Sequence, residues 1–290
     1  MVGPFRGADL NRRLIPSPAV TSTDDFVLID HPRPDIALVT LNRPERMNAM
    51  AFDVMLPLAD ALREVNNDNN VRAVVITGAG HGFCSGADLV SSGRVPYIEG
   101  LTVSTIAHRA ADRLHEVIEL IGDLHQPVIA AINGAAIGGG MCLALACDIR
   151  IASTEAYFRA AGINNGLTAA ELGLSFTLPH AIGSSRAFEI MLTGRDVDAD
   201  EAARIGLVSE TVPPADLLER CYEIGTRIAA FSRPGTELTK RMLWAGLEAS
   251  SYAAHMRSEM NAQLLVRMTT RNFEEAVLAR SENRPPVFED

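Results

Sequence analysis

Two mainly apolar segments, each followed by a glycine-containing loop, constrain the fold of this chain more than any other feature. They are residues 71–77 and 127–132. Apolar runs of this length are typical of strands that are buried on both faces of a sheet. The other predicted elements of this part of the chain are strands at 26–30, 36–42 and 148–152, and helices at 51–65, 104–124 and 139–146. The alternation of strands and helices predicts an α/β core with right-handed crossovers.

The last third of the chain differs, because strand patterns nearly vanish after about residue 169. Helical patterns replace them at 184–192, 199–205, 215–230, 235–247 and 250–268. We therefore predict three parts: a flexible N-terminal extension at 1–24, a core at 25–195 and a helical region at 196–290. The last long helix has an apolar stripe that we expect to be buried against another subunit, formed by Tyr252, Met256, Met260, Leu264, Leu265 and Met268.

The charge and the cysteine content exclude several classes of protein. The net charge is −10, which argues against a nucleic-acid partner because phosphate binding needs clustered Lys and Arg. No apolar run reaches the roughly 18 residues of a membrane-spanning helix. The cysteines have neither zinc-ligand nor CxxC spacing, so we expect reduced thiols, no metal site and a cytoplasmic location. They are Cys84, Cys142, Cys147 and Cys221.

The two glycine loops, at 78–89 and 133–140, are the strongest candidates for a catalytic site. Each is predicted to join a buried strand to a helix, where backbone N–H groups are left without partners. Two such loops on adjacent strands can direct two N–H donors at one oxygen, as in an oxyanion hole. Glycines that only form tight turns would give the same pattern. Neither loop matches a phosphate-binding motif, and Ser85 lacks the GxSxG environment of a serine hydrolase.

Several blocks of sequence resemble the signature blocks of the crotonase (enoyl-CoA hydratase/isomerase) superfamily. The blocks are residues 41–50, 83–89, 130–148 and 193–208, within a match that runs from about 26 to 273. The resemblance implies an α/β, crotonase-like (ClpP/crotonase) fold of stacked ββα units with a C-terminal helical trimerisation region. It also implies a trimer or a dimer of trimers that acts on an acyl-CoA thioester. No separate cofactor is implied, because coenzyme A is part of the substrate.

The same resemblance implies roles for individual residues. The N–H groups of Ala87 and Gly139 correspond to the two oxyanion donors. Residues that correspond to the coenzyme A site are Arg46, Met47, Ala49, Ser85, Gly86, Ala87, Asp88, Leu89, Gly138 and Gly139. A thioester enolate forms readily only if preorganised donors meet its oxygen, so this assignment is chemically coherent.

The proton-transfer residue is the point at which this sequence departs from the hydratases of the family. Those enzymes have two glutamates, and the corresponding positions here are Cys142 and Gly162. Glu171 instead corresponds to the single glutamate of peroxisomal-type enoyl-CoA isomerases. We therefore expect a double-bond shift catalysed by Glu171. An enoyl-CoA hydratase of β-oxidation and a weakly active acyl-CoA-binding paralogue remain the alternatives.

Five residues near these blocks have simpler interpretations as well. Glu171 could be a solvated or helix-capping side chain, and Asp88 could cap a helix after its loop. Cys142 would be a nucleophile only if its pKa were lowered, and a packed, inert thiol is the favoured interpretation. His125 and His180 have no paired spacing and are expected to be structural.

Overall fold

The computed structural model describes residues 25–289, and the predicted extension at 1–24 lies outside this part. The strands are β1 (Val27–Arg33), β2 (Ile36–Leu41), β3 (Ala73–Gly78), β4 (Gly82–Cys84), β5 (Val128–Ile132), β6 (Ala135–Ile137), β7 (Ile149–Ser153), β8 (Tyr157–Arg159), β9 (Asp196–Asp198) and β10 (Glu210–Val212). The helices are α1 (Phe52–Asn67), α2 (Val103–Asp123), α3 (Gly139–Ala146), α4 (Leu174–Ile182), α5 (Ser184–Thr193), α6 (Ala199–Ile205), α7 (Leu217–Ala229), α8 (Arg233–Glu248), α9 (Tyr252–Thr269) and α10 (Asn272–Ser281).

The main sheet has six strands in the order β1-β2-β3-β5-β7-β10 and is parallel except for the β1–β2 pair. Alternate residues of its central strands enter two separate cores. Val74, Ile76 and Ala130 belong to the core that also contains α1 and α3. Val75 and Ile129 belong to a second core, which is covered by α7. Burial on both faces explains the continuous apolar runs, and this prediction is confirmed.

A second sheet of four short strands, in the order β4-β6-β8-β9, was not predicted from the apolar patterns of the sequence. Strands β4 and β6 lie inside the two glycine loops and pair in parallel. The two loops are therefore held together by backbone hydrogen bonds, and their glycines do more than form tight turns. The expectation that the first loop leads directly into a helix was wrong, because α2 begins only at Val103.

The helices predicted from periodicity are present with small changes at their ends, but α4 and α10 were missed. Helix α4 has only nine residues and contains Pro179, which reads as a helix breaker in the sequence. It begins after Gly173, whose positive φ of 81° allows the sharp entry.

The helical region after residue 195 is attached to the core by strands as well as by helices. β9 pairs with β8, and β10 pairs with β7 at the edge of the main sheet. In contrast, α9 has no buried residue, and α8 has one, Lys240. Across residues 25–289, no helix is both long enough and apolar enough to cross a membrane.

Candidate active site

The N–H group of Ala87 is left free by a single bridge between two loops. Met50 N donates to Gly86 O at 2.7 Å, and Asp88 N donates to Met50 O at 3.1 Å. In this parallel bridge the flanking residues make the hydrogen bonds, so Ala87 N–H finds no acceptor within residues 25–289. The donor is available because of the bridge, and the predicted origin at a helix N-terminus was wrong.

The N–H group of Gly139 is free for the reason that was predicted. Gly139 is the first residue of α3, so its N–H has no partner inside the helix. The preceding residue, Gly138, has φ 52° and ψ −119°, a conformation that a residue with a side chain rarely adopts. A Cβ on Gly139 would meet Met50 Sδ, so a side chain at this position requires the methionine side chain to move.

The two loops meet at their glycines. A Cβ placed on Gly86 would lie 3.3 Å from Gly139 N and 2.6 Å from Ile137 O. A Cβ placed on Gly138 would lie 4.0 Å from Gly86 Cα. The backbone segments that contain Ala87 and Gly139 are therefore in direct contact, and their two free N–H groups lie in the same part of the structure.

The Glu171 carboxylate lies beside the second loop. Its Oε1 atom would be 3.2 Å from a Cβ on Gly138, so a side chain there would displace it. Glu171 is half-buried, and this burial raises the pKa of its carboxyl group. Its side chain does not cap a helix, because the N-cap of α4 is Gly173. A partly desolvated carboxyl group beside a loop that carries a free N–H donor is a candidate for a general base.

Cys142 is not a nucleophile in this environment. It is buried on α3, and its Sγ donates a weak hydrogen bond to Glu171 O at 3.5 Å. Burial, followed by the nearby Glu171 carboxylate, raises the pKa of the thiol. The group therefore stays protonated at neutral pH, as the interpretation of a packed thiol requires.

Gly162 cannot be replaced by a carboxylate in this backbone. It precedes a short 3-10 turn, and a Cβ at this position would overlap with Thr168 O. Gly162 O accepts hydrogen bonds from Asn165 N and Leu167 N, which close the turn. Its φ of −53° is ordinary, so the restriction is steric and does not come from the backbone angle.

Asp88 connects the first loop to the segment around Arg46. Its buried carboxylate accepts hydrogen bonds from Arg46 at 2.6 Å and from Val90 N and Ser91 N at 2.9 Å. Arg43 lies 3.3 Å away as a second cation. Burial alone would raise the pKa of Asp88, but these hydrogen bonds outweigh it and lower the pKa to about 2. The suggested role as a cap of the helix after the loop was wrong, since the next helix along the chain begins only at Val103.

Asn48 is a structural residue of the site that the sequence analysis missed. Its side chain accepts from Arg43 N at 2.9 Å and donates to Ala79 O and Gly82 O at 3.0 and 2.8 Å. It is fully buried, with φ 55°. Asparagine tolerates a positive φ better than most residues, so the asparagine at this position was the only indication of it in the sequence.

The other residues predicted for coenzyme A surround the same loops. Ser85 Oγ donates to Arg46 O at 3.4 Å, and Ser85 N donates to Met47 O at 3.0 Å. Met47 and Leu89 are exposed, whereas the side chain of Ala49 is buried, so only its backbone could meet a ligand. The segments that carry the predicted set are therefore close together in the structure.

A separate cavity of about 750 Å³ lies at the other end of the main sheet. It opens beside α8 and the first residues of β5 and β7, whereas the glycine loops follow the last residues of β3 and β5. Its polar wall is an internal network in which Asp148 accepts from Trp244 at 2.6 Å and pairs with Lys240 at 3.0 Å. We interpret this network as a structural anchor for α8. Within residues 25–289 no cluster of His, Cys, Asp and Glu could hold a metal ion.

Comparisons with known proteins show which sequences and structures this chain is similar to. The sequence model of the family described as "Enoyl-CoA hydratase/isomerase" matches residues 33–290. The chain is 66% identical over 269 residues to a Mycobacterium tuberculosis protein named "Probable enoyl-CoA hydratase EchA12", covering 93% of this chain and 94% of the relative.

Two solved structures are also similar. A probable enoyl-CoA hydratase/isomerase from Mycobacterium abscessus is 68% identical, with a TM-score of 0.87, over 91% of this chain and 98% of that one. A monofunctional enoyl CoA isomerase from M. smegmatis is 61% identical, with a TM-score of 0.68, over 80% of this chain and 98% of that one.

Proposed function

Because the chain belongs to the enoyl-CoA hydratase/isomerase family, we propose that it shifts the double bond of an enoyl-CoA thioester, with Glu171 as its single acid–base group. The carboxylate removes a proton from C2 of a 3-enoyl-CoA, and the electrons move onto the thioester oxygen as an enolate. The same carboxyl group then returns the proton to C4, which leaves the double bond between C2 and C3. The position of Glu171 Oε1 beside Gly138 is the observation that supports this proposal.

Ala87 and Gly139 bind the enolate oxygen in this proposal. Their N–H groups are donors without acceptors within residues 25–289, and their loops are in contact. Such donors act only as strongly as they are preorganised, and removal of one typically costs about 10² to 10³ in turnover. Hydrogen bonds between β4 and β6 and the Met50 bridge provide the rigidity.

One carboxylate is sufficient for this reaction but not for hydration. A 1,3-proton shift needs one group that removes and returns the same proton. Hydration needs a further group to orient the attacking water. The two positions where hydratases of the family have glutamates are a neutral thiol, Cys142, and Gly162, which has no room for a side chain.

We further propose that coenzyme A binds along the segment around Arg46 and the first glycine loop. Arg46 is about one-third exposed while paired with Asp88, so it can meet a solvent-exposed anion without leaving that pair. Met47 and Leu89 offer exposed apolar surface beside it, and Leu89 is 77% exposed. These residues suit the mixed polar and apolar character of an acyl-CoA.

Enoyl-CoA hydration is the second candidate, favoured by the name of the 66% identical relative. Purified protein would be incubated separately with trans-3-hexenoyl-CoA and crotonyl-CoA, and the products identified by chromatography and mass. We expect migration of the double bond in the first and slow or no hydration of the second.

Glu171→Gln should lower the migration rate by at least about 100-fold, because the amide keeps the size but removes the base. Glu64→Gln, at an exposed position of α1, is the matched control and should not change the rate. Rapid hydration of crotonyl-CoA that Glu171→Gln leaves unchanged would overturn the proposal in favour of a hydratase.

A further inference from the structure

The residue after Glu171 has an unusual backbone conformation. Leu174 N donates to Glu171 O at 2.8 Å, which closes a four-residue turn. Both central residues have positive φ, 45° at Leu172 and 81° at Gly173, which are the signs of a type I′ turn. Glycine, asparagine and aspartate dominate such turns, and a leucine at the first central position is an outlier. Strain of this kind persists only where surrounding contacts enforce it.

The Leu172 side chain lies against the oxyanion loop. Leu172 Cδ1 would lie 3.5 Å from a Cβ on Gly139, so the leucine side chain covers the glycine on one side. Met50 Sδ covers the same glycine as well. Leu172 is partly buried and packs against the main core. Its side chain therefore joins the turn that presents Glu171 to the residue that supplies an oxyanion donor.

We infer that Leu172 is a positioning residue, whose side chain holds the strained turn against Gly139 and thereby fixes the Glu171 carboxylate in its half-buried place beside Gly138. This inference rests on the proposed function of Glu171. Without the leucine side chain, the turn can relax and water can reach the carboxylate. The base then becomes both misplaced and weaker.

The titratable groups around Glu171 determine how loss of the Leu172 side chain would affect the pH dependence of the reaction. Burial is the cause that raises the pKa of its carboxyl group. The thiol of Cys142 faces it from α3 and stays neutral, because burial raises the pKa of that thiol. On the neighbouring loop, the Asp88 carboxylate is neutralised by Arg46 and Arg43. Better hydration of Glu171 should therefore lower its pKa towards its ordinary value.

The test compares three variants with the intact protein on trans-3-hexenoyl-CoA. Leu172→Gly removes the side chain and accepts the positive φ, so it folds without strain. Leu172→Ala removes most of the side chain and keeps the strain. Leu172→Met keeps an apolar side chain of similar reach and is the conservative control. For each, kcat, KM, the pH dependence of kcat/KM and Tm are measured.

For Leu172→Gly and Leu172→Ala we expect kcat to fall by at least about tenfold with KM changed less than about threefold, because the base is misplaced. The acid limb of the kcat/KM profile should move to lower pH, since Glu171 must be ionised to act and its pKa falls. Leu172→Gly should melt no lower than Leu172→Ala, and Leu172→Met should behave as the wild type.

A kcat within about twofold of the wild type in both truncated variants would overturn the inference. An acid limb that stays in place would overturn it too, even if kcat fell, because a purely structural role predicts that result. Glu171→Gln is assayed in parallel. If it loses turnover while the Leu172 variants keep theirs, only the inference fails; if it keeps turnover, the proposed function fails as well.

Discussion

Helices α3 and α9 belong to the same chain but differ in how far their apolar side chains are buried. All eight residues of α3 are buried, and its first residue supplies a free N–H to the candidate site. None of the eighteen residues of α9 is buried, and large apolar side chains such as Met268, 81% exposed, face outward. The apolar side chains of α3 are buried by other parts of the same chain. The exposed apolar stripe of α9 is of the kind that a second surface usually covers.

The proposed catalysis and the predicted subunit contact therefore depend on different helices. Substitutions at the start of α3 should change turnover without changing the size of the protein in solution. Substitutions on the stripe of α9 should change its size while the fold of each chain persists.

The largest effect is expected at Gly139, where Gly139→Pro removes the N–H that is proposed to bind the enolate. Proline is tolerated at the first position of a helix, so the fold should survive. Turnover should fall by at least about 100-fold, or about 3 kcal/mol. Gly139→Ala is the matched control, because it adds the same clash with Met50 but keeps the N–H. Equal turnover of the proline and alanine variants would show that this N–H is not an oxyanion donor.

A smaller effect, on stability, is expected at Asp88. Its pKa is lowered from 3.8 to about 2, which corresponds to about 2 kcal/mol of stability above pH 4. Because the pKa is lower in the folded state, this contribution is fully present above the pKa of the unfolded state. It is lost as the pH falls through the pKa of the folded state. Asp88→Asn should therefore lower the free energy of unfolding at pH 7, and the difference from wild type should shrink between pH 4 and pH 2. Urea unfolding at several pH values measures this.

Glu275, near the C-terminus, provides the contrast for Asp88. Hydrogen bonds from Arg284 and from Val287 N also lower its pKa to about 2, but this carboxylate is partly exposed to solvent, whereas that of Asp88 is buried. Solvent and salt screen such a pair, so Glu275→Gln should have a smaller effect that added salt removes. A loss for Glu275→Gln as large as that for Asp88→Asn would break the distinction between the two regions.

The smallest effect on each folded chain is expected on the α9 stripe. Met260→Glu with Leu264→Glu places two charges among exposed apolar residues that we predict to be covered by another subunit. The mass from light scattering should fall to that of one chain, with secondary structure retained. Ser258→Glu with Gln263→Glu adds the same charges at exposed polar positions of α9 and should leave the mass unchanged. A wild type that is already monomeric at micromolar concentration would contradict the prediction.

Much of the fold followed from local patterns. Apolar runs predicted the central strands, and periodicity of about 3.6 residues predicted most helices within one or two residues. The strands of the second sheet were missed because each has only three residues, too few for a period to be read. They form because distant segments pair, and pairing of that kind leaves little trace in any single window of sequence.

Some features of the candidate site also followed from the sequence, whereas others depended on the tertiary structure. The sequence by itself identified the two glycine loops, the thiol at 142, the glycine at 162 and the carboxylate of Glu171. Only the tertiary structure decided that the Met50 bridge frees Ala87 N–H, and that Leu172 is held at positive φ against Gly139. Sequence patterns report burial and local geometry, whereas the distance between a carboxylate and a donor from separate segments is set by packing between them.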